Sequence, residues 1–318
     1  RLRKTIIHAP KNGFFYVIDR RTGELISAEP FARVTWAKGI DNATGRPIES
    51  PGVRYSDGRT VDIQPTAMGA HSWLPMAWSP KSGLVYIPTI DFTMGYSDAS
   101  AGWQVPKDRV LNGANMVAGG VAMGRTPARG GLLAWSPAEQ KALWKVDHPT
   151  FVNGGVLATG GGLVFQGTVD NWFKAYDAAS GKVLWRFDAK APLMATPITY
   201  RAGGKQYVTM VTGLGMNNAS NLVAINGPET ERYGIDPQTQ ARRVLTFAIG
   251  GKAVLPPRRE PPPAAQDAAF APDPAREGRG AVGYAMHCAT CHGSVVAGST
   301  QAPDLRRSPM PSDAEAFA

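Results

Sequence analysis

The sequence predicts an all-β propeller followed by the start of a small α-helical unit. Three observations carry this. A strand–turn–strand pattern recurs between residues 14 and 189. The composition is rich in turn formers, with 36 Gly and 26 Pro in 318 residues, which fits many short strands better than a helix bundle. A late Pro-rich break then precedes both cysteines. A chain of this length has ample material for a hydrophobic core.

The clearest unit is "GGLVFQGTVDNWFKAYDAASGKVLWRFDA" at 161–189. An apolar run from Leu163 to Phe165 reaches Gly167, and a second strand covers Trp172–Tyr176. The turn Asp177-Ala178-Ala179-Ser180-Gly181 follows, and a third strand ends at Trp185. Asp and Ser suit the turn because their side chains bond nearby backbone, and Gly supplies a positive φ. Weaker copies occur at 14–28 (Asp19, Thr22, Gly23) and 76–88 (Ser79, Ser82, Gly83). A third, at 132–147, keeps Ala134 and Trp144 but lacks the turn Gly. Four such units, roughly 40–60 residues apart, predict four blades. The insertions 40–70 and 91–130 read as long loops on one face, where propellers carry their sites.

The pattern stops near residue 251. "GGKAVLPPRREPPPAAQDAAFAPDPAREG" has seven prolines and reads as an extended, semi-rigid linker. The predicted organisation is a propeller region at 1–250, a linker at 251–272 and a helical unit at 273–318. Asp273 is placed to cap a helix with Pro274 in its first position. A capping box from Ser312 to Glu315 predicts a further helix start.

The formal net charge is +9, but Lys and Arg are dispersed rather than clustered, which argues against nucleic-acid binding. No apolar run reaches the about 18 residues of a membrane span. No signal peptide is visible. The chain opens "RLRKTIIHAPKNGFF", without Met, and enters a strand almost at once, so a leader is expected upstream of residue 1.

Both cysteines lie in "GYAMHCATCHG", at Cys288 and Cys291, with His292 next. Cys-x-x-Cys-His is the attachment pattern of c-type haem. Two thiols one helical turn apart can bond the two vinyl groups of one porphyrin edge, and the adjacent His then reaches the iron. A thioredoxin-type pair would want a βαβ context, and a zinc site would want two more ligands at paired spacing. Neither is present, so the context favours haem. His8, His71, His148 and His287 are scattered and read as structural.

Together, "APKNGFFYVIDRRTGELISA", "GAHSWLPMAWSPKSGLVYIP", "GGLLAWSPAEQKALWKVDH" and "NGGVLATGGGLVFQGTVDNWFKAYDAASGKVLWRFDA" resemble quinohaemoprotein alcohol dehydrogenases. The likeness runs on through "ATPITYRAGGKQYVTMVTG" to the linker and CATCHG, in the family's order. It implies about four blades of an eight-bladed pyrroloquinoline quinone (PQQ) propeller, then the truncated N-terminal part of a cytochrome c domain. Ala175, Asp177, Gly181 and Trp185 resemble the family's tryptophan-docking motif, in which each Trp packs on the neighbouring blade.

What the resemblance implies for residues is specific. Lys11 matches the lysine that bonds the quinone carbonyls; an ammonium there withdraws electrons and stabilises the reduced quinone's oxygens. Taken alone, Lys11 could equally be a surface-turn lysine. Trp73 matches an aromatic beside the quinone, and Ser72 stands where the family usually has Asn. Asn153 lies in a segment that faces the cofactor in the family, although Asn-Gly-Gly is also simply a turn. Cys288 and Cys291 match the covalent haem anchors, and His292 the proximal iron ligand. The general-base Asp, the Ca²⁺ or lanthanide ligands and a vicinal disulfide belong to a part of the family pattern upstream of "APKNG", so no catalytic residue is expected in this chain. Met310 is too close to "PDLR" to match the sixth haem ligand.

The resemblance therefore implies an alcohol-oxidising enzyme using PQQ, haem c and Ca²⁺ or a lanthanide. It would be periplasmic and not membrane-spanning. A soluble cytochrome, cupredoxin or quinone would accept its electrons. The present chain reads as a fragment, inactive alone. Two alternatives stay open: a non-enzymatic propeller scaffold joined to an electron-transfer cytochrome, and a quinoprotein acting on polymeric or cyclic alcohols.

Overall fold

The computed structural model describes residues 3–55, 57–97, 121–122, 127–215, 222–223, 225–260, 263, 273–293, 295–296, 298 and 302–308. The capping box at 312–315, Met310 and most of the 91–130 insertion lie outside them.

The first sheet comprises β1 (Thr5–His8), β2 (Phe14–Asp19) and β3 (Leu25–Pro30), in that order. A hairpin of β4 (Ala37–Ile40) and β5 (Pro47–Glu49) follows. The second sheet has the order β12-β11-β8-β7, built from β7 (Ala77–Ser79), β8 (Leu84–Asp91), β11 (Arg129–Ser136) and β12 (Lys141–His148). β6 (Val61–Ile63), which precedes β7, and β9 (Met94–Tyr96) and β10 (Val121–Ala122), which lie between β8 and β11 in the chain, form a small sheet of their own. The third sheet runs β13 (Val156–Ala158), β14 (Leu163–Gly167), β15 (Trp172–Asp177), β16 (Val183–Asp188). The fourth joins β17 (Ile198–Ala202), β18 (Lys205–Val211) and β19 (Val244–Phe247), with the short helix α1 (Gly227–Arg232) between the last two.

This corrects the blade assignment drawn from the repeats. The units at 76–88 and 132–147 are two hairpins of one sheet, because β11 pairs with β8 from Arg129↔Asp91 to Trp135↔Val85. The fourth sheet is the one at 198–247, which the repeat pattern did not single out. The insertions are also not wholly loop: 40–70 carries β5 and β6, and 91–130 carries β9 and β10.

The true repeat is visible in the backbone. In three sheets the last hairpin is interrupted by a bulge at the same place, between Val17 and Ile18, Ala134 and Trp135, and Ala175 and Tyr176. Each bulge lies just before the turn residue Asp19, Ser136 or Asp177. An extra residue there increases local twist and aims the following turn. The Asp177 carboxylate then accepts from Ala179 N, Ser180 N and Ser180 Oγ at 2.8–3.1 Å, and Gly181 closes the turn at φ +70°. Gln140 takes the equivalent conformation at φ +51° without being glycine.

The sheets stack face to face in chain order. Phe15, Val17, Ile87, Leu133 and Trp135 fill the space between the first two. Tyr86, Leu132, Val156, Val164 and Tyr176 fill the next, and Phe173, Leu193, Met210 and Leu245 the last. Central strands are therefore covered on both faces. Seven of the eight residues of β8 are buried, which is why LVYIPTID reads as a continuous apolar run rather than an alternation. Outer strands such as β16 are mostly exposed. After the strands, residues 251–260 have no regular structure, and α2 (Pro274–His287) and α3 (Ala289–His292) follow.

Candidate cofactor sites

Lys11 sits in the turn that launches β2. The turn is tight at Gly13, where φ is +92° and a Cβ would come within 2.7 Å of Val34. The Asn12 side chain accepts from Phe14 N at 3.1 Å. The segment 66–75 folds over this turn. Ala70 N donates to Lys11 O at 2.9 Å, and the Lys11 ammonium donates to Ala67 O at 3.1 Å. Gly69 is what permits the approach: at φ +89° its Cβ would meet Lys11 Cγ at 2.6 Å.

The same segment is clipped from both sides by His71. The buried ring has Nδ1 at 2.6 Å from Ala9 O and Nε2 at 2.7 Å from Leu74 O. Between those anchors Ser72 is half-buried, and Trp73 stands 61% exposed beside the buried Leu74. Ile90 N donates to Ala70 O, which ties the segment to β8. Val156 N donates to Pro75 O, which ties it to the third sheet. An ammonium and a large flat aromatic are thus displayed on two stitched segments with rigid backing. The ammonium suits an anionic group through charge, and the aromatic suits a planar one through stacking.

Asn153 is placed differently. It is 2% exposed, and its amide is taken up within the fold. Nδ2 donates to Thr150 O at 2.9 Å, while Oδ1 accepts from Thr150 Oγ1 and Val169 N at 3.2 Å. His71, read from the sequence only as structural, proves to be the clamp of the Ser72–Trp73 segment. Its signal was the run "GAHSWL", a polar residue beside an exposed aromatic.

The second site lies at the end of α2. Asp273 caps that helix as expected, accepting from Ala275 N at 3.0 Å and Arg276 N at 3.3 Å. Cys288 joins α2 to α3, and Cys291 N and His292 N both donate to its carbonyl. Both thiols are free, with Cys288 half-buried and Cys291 exposed. His292 Nδ1 donates to Pro303 O at 2.8 Å, so the proton is held there and Nε2 is left bare for a metal. The chain crosses itself closely behind the ring. A Cβ at Gly298 would lie 2.7 Å from backbone of residues 302–304, so only glycine fits. Two free thiols and one oriented imidazole on a single turn fit covalent haem.

A third polar group lies between the second and third sheets. His148 Nε2 meets Gln166 Oε1 at 2.9 Å, and Gln166 Nε2 is fixed on Gly154 O. Burial, with the nearby Lys174 ammonium, pulls the His148 pKa down to about 4, so this ring is neutral at pH 7.

Residues 120–208 match the family model of the PQQ glucose/ethanol/alcohol dehydrogenase β-propeller domain. The fold is thus a PQQ-type β-propeller. Among relatives, quinohemoprotein alcohol dehydrogenase ADH IIB of Pseudomonas putida is 41% identical over 96% of this chain and 43% of its own. The solved structure of ADHIIG from P. putida HK5 superposes with a TM-score of 0.82 at 35% identity, covering 96% of this chain and 45% of that one. The Comamonas testosteroni quinohemoprotein alcohol dehydrogenase superposes with a TM-score of 0.79 at 34% identity, over 96% and 44%. Over nearly its whole length the chain is similar to these quinohemoprotein alcohol dehydrogenases, and it spans less than half the length of each.

Proposed function

We propose that this chain serves in the oxidation of alcohols to aldehydes by a PQQ-dependent periplasmic dehydrogenase whose electrons pass to a covalently attached haem c. The observation that carries this is the joint presence of a PQQ-type propeller and a Cys-x-x-Cys-His turn whose imidazole is already oriented by Pro303. Bound PQQ would supply the two-electron acceptor, which is the chemistry of the cofactor rather than of the protein.

The chain's own residues bind and tune. Lys11 would hold its positive charge against the quinone oxygens, and Trp73 would offer a stacking face. Ser72 would give one hydrogen bond where a longer amide is usual. Asn153 would act from behind, keeping residues 150–153 and Val169 in place. Cys288 and Cys291 would anchor the haem, and His292 would ligate its iron through Nε2. Residues 251–272 would be the linker and 273–318 the beginning of a cytochrome c domain. A Ca²⁺ or lanthanide ion would complete the quinone site with ligands from outside this chain. The substrate would be a small alcohol, and a soluble cytochrome, cupredoxin or quinone would take the electrons. No helix among the described residues is long and apolar enough to cross a membrane.

Two measurements test this. After expression with a haem-maturation system, the chain should carry haem that survives a denaturing gel, and Cys288→Ala/Cys291→Ala should lose it. PQQ binding, followed by quenching of Trp fluorescence, should weaken by about tenfold or more in Lys11→Ala, the loss of one charge-assisted contact. Unchanged binding would remove Lys11 from the site.

A further inference from the structure

The haem-binding turn follows a linker, and it is also held by a set of buried polar contacts of its own. Residues 233–240, which follow α1, form the seat. Asn171 Nδ2 from the third sheet and Arg258 Nη1 from the linker both donate to Tyr233 O. Gln240 Oε1 accepts from Leu214 N, next to the fourth sheet. Within the seat, Asp236 Oδ1 is fixed by Gln238 N, Thr239 N and Thr239 Oγ1 at 2.9–3.2 Å. That leaves Oδ2 for a partner.

The partner comes from the other side. Asp304 Oδ1 accepts from Arg306 N and Nε at 2.9–3.0 Å. Asp304 precedes a short 3₁₀ turn, Leu305–Arg307. Arg307 Nη1 then bonds Asp236 Oδ2, while its Nε lies 3.5 Å from Asp304 Oδ2. Asp236 and Asp304 are 10% and 3% exposed at the side chain. Gln238 Nε2 adds a bond to Ala302 O at 2.9 Å. Ala302 adjoins Pro303, whose carbonyl holds His292 Nδ1.

We propose that Arg307 is the positioning residue that seats the haem-binding turn on the propeller, by bridging Asp304, beside the carbonyl that orients His292, to Asp236 of the propeller seat. A guanidinium is suited to this because its planar fork can engage two carboxylates at once, which an ammonium does less well. Without it, Asp236 Oδ2 loses its guanidinium partner, while Asp304 keeps only its pair with Arg306 among the described residues. The surface between two units of one chain is ordinarily loose enough to slide, and a buried bridge of this kind fixes one arrangement. The role in electron transfer rests on the haem reading above; the seating itself does not.

The test uses the full chain with Arg307→Ala, Arg307→Lys and the charge swap Asp236→Arg/Arg307→Asp. In the haem-free chain, amide exchange at 302–308 should rise about tenfold or more in Arg307→Ala, and less in Arg307→Lys. The swap should recover part of the protection. In the haem-loaded chain, all eight tryptophans precede residue 190 while the haem would sit at 288–292, so their emission reports on the separation of the two regions. Arg307→Ala should raise their emission severalfold and the swap should lower it again. Exchange that is unchanged in Arg307→Ala would overturn the proposal, as would equal exchange in Arg307→Ala and Arg307→Lys. Failure to attach haem would sink the haem reading alone, since the exchange comparison is made without it.

Discussion

The third sheet has two faces, and they are joined to their neighbours in different ways. Toward the second sheet the contact has polar handles. Trp144 of β12 lies over the turn at Gly181, where a Cβ would come within 2.6 Å of its ring. Its Nε1 donates to Ala178 O at 3.1 Å, and the Tyr86 hydroxyl donates to the same oxygen at 3.0 Å. His148 and Gln166 add a further bond. Toward the fourth sheet, Trp185 occupies the same motif position but meets only rings, with centroids 5.4 Å from Phe247 and 5.9 Å from Phe173. It stays 41% exposed. The fourth sheet offers Gly203-Gly204 in its hairpin, with nothing packed on either. Docking is therefore a property of a pair. A Trp on one sheet needs an Asp-to-Gly turn on the next, and among the described residues Trp185 meets none.

The largest effect should come from breaking the polar-handled side. Trp144→Ala should cost ~3–5 kcal/mol in chemical denaturation, through lost burial and a lost donor, and Trp185→Ala distinctly less. Equal losses would mean that the shared carbonyl contributes nothing. Acid is the next lever, because it acts on one interface only. The unfolded His148 binds a proton near pH 6.5, while the folded ring resists it until about pH 4. Stability from this group is full above pH 6.5 and is lost as the pH falls from there toward 4, on the order of 3 kcal/mol in all. His148→Gln should flatten the stability–pH curve in that window. Gly181→Ala should cost about 2 kcal/mol, from the left-handed backbone and the crowding against Trp144. The smallest effect has the opposite sign. Gln140 holds a left-handed turn without being glycine, so Gln140→Gly should raise the thermal midpoint, by about 1 kcal/mol in stability.

Local chemistry was what the sequence made legible. The turn at Asp177–Gly181, the Asp273–Pro274 helix start and the Cys288–His292 pattern all depend on neighbours a few residues apart. Which hairpins share a sheet does not. The pairing of β8 with β11 spans an insertion, and no periodicity in either strand records its partner. Trp144 stands out in the sequence as a repeat position, and the turn that receives it across the sheet boundary is a matter of the fold. At the candidate sites, Lys11 and Trp73 are exposed. The segment that carries Trp73 over the Lys11 turn is held by His71, which binds backbone, and by Gly69, which admits the Lys11 side chain, and no sequence pattern flags either. The Arg307–Asp236 contact joins residues 71 apart in sequence, between segments of unlike composition, and was invisible for the same reason.

The oxygen that Tyr86 and Trp144 share belongs to the main chain of Ala178. Whatever side chain stands at position 178, provided it fits a nearly buried place, the peptide still presents the same acceptor with both lone pairs in use. Substitutions there can drift without disturbing the joint, while either donor is hard to replace. A search for covarying partners of Trp144 would therefore find little at the very residue it grips, and the joint would look weaker in aligned sequences than it is in the folded chain.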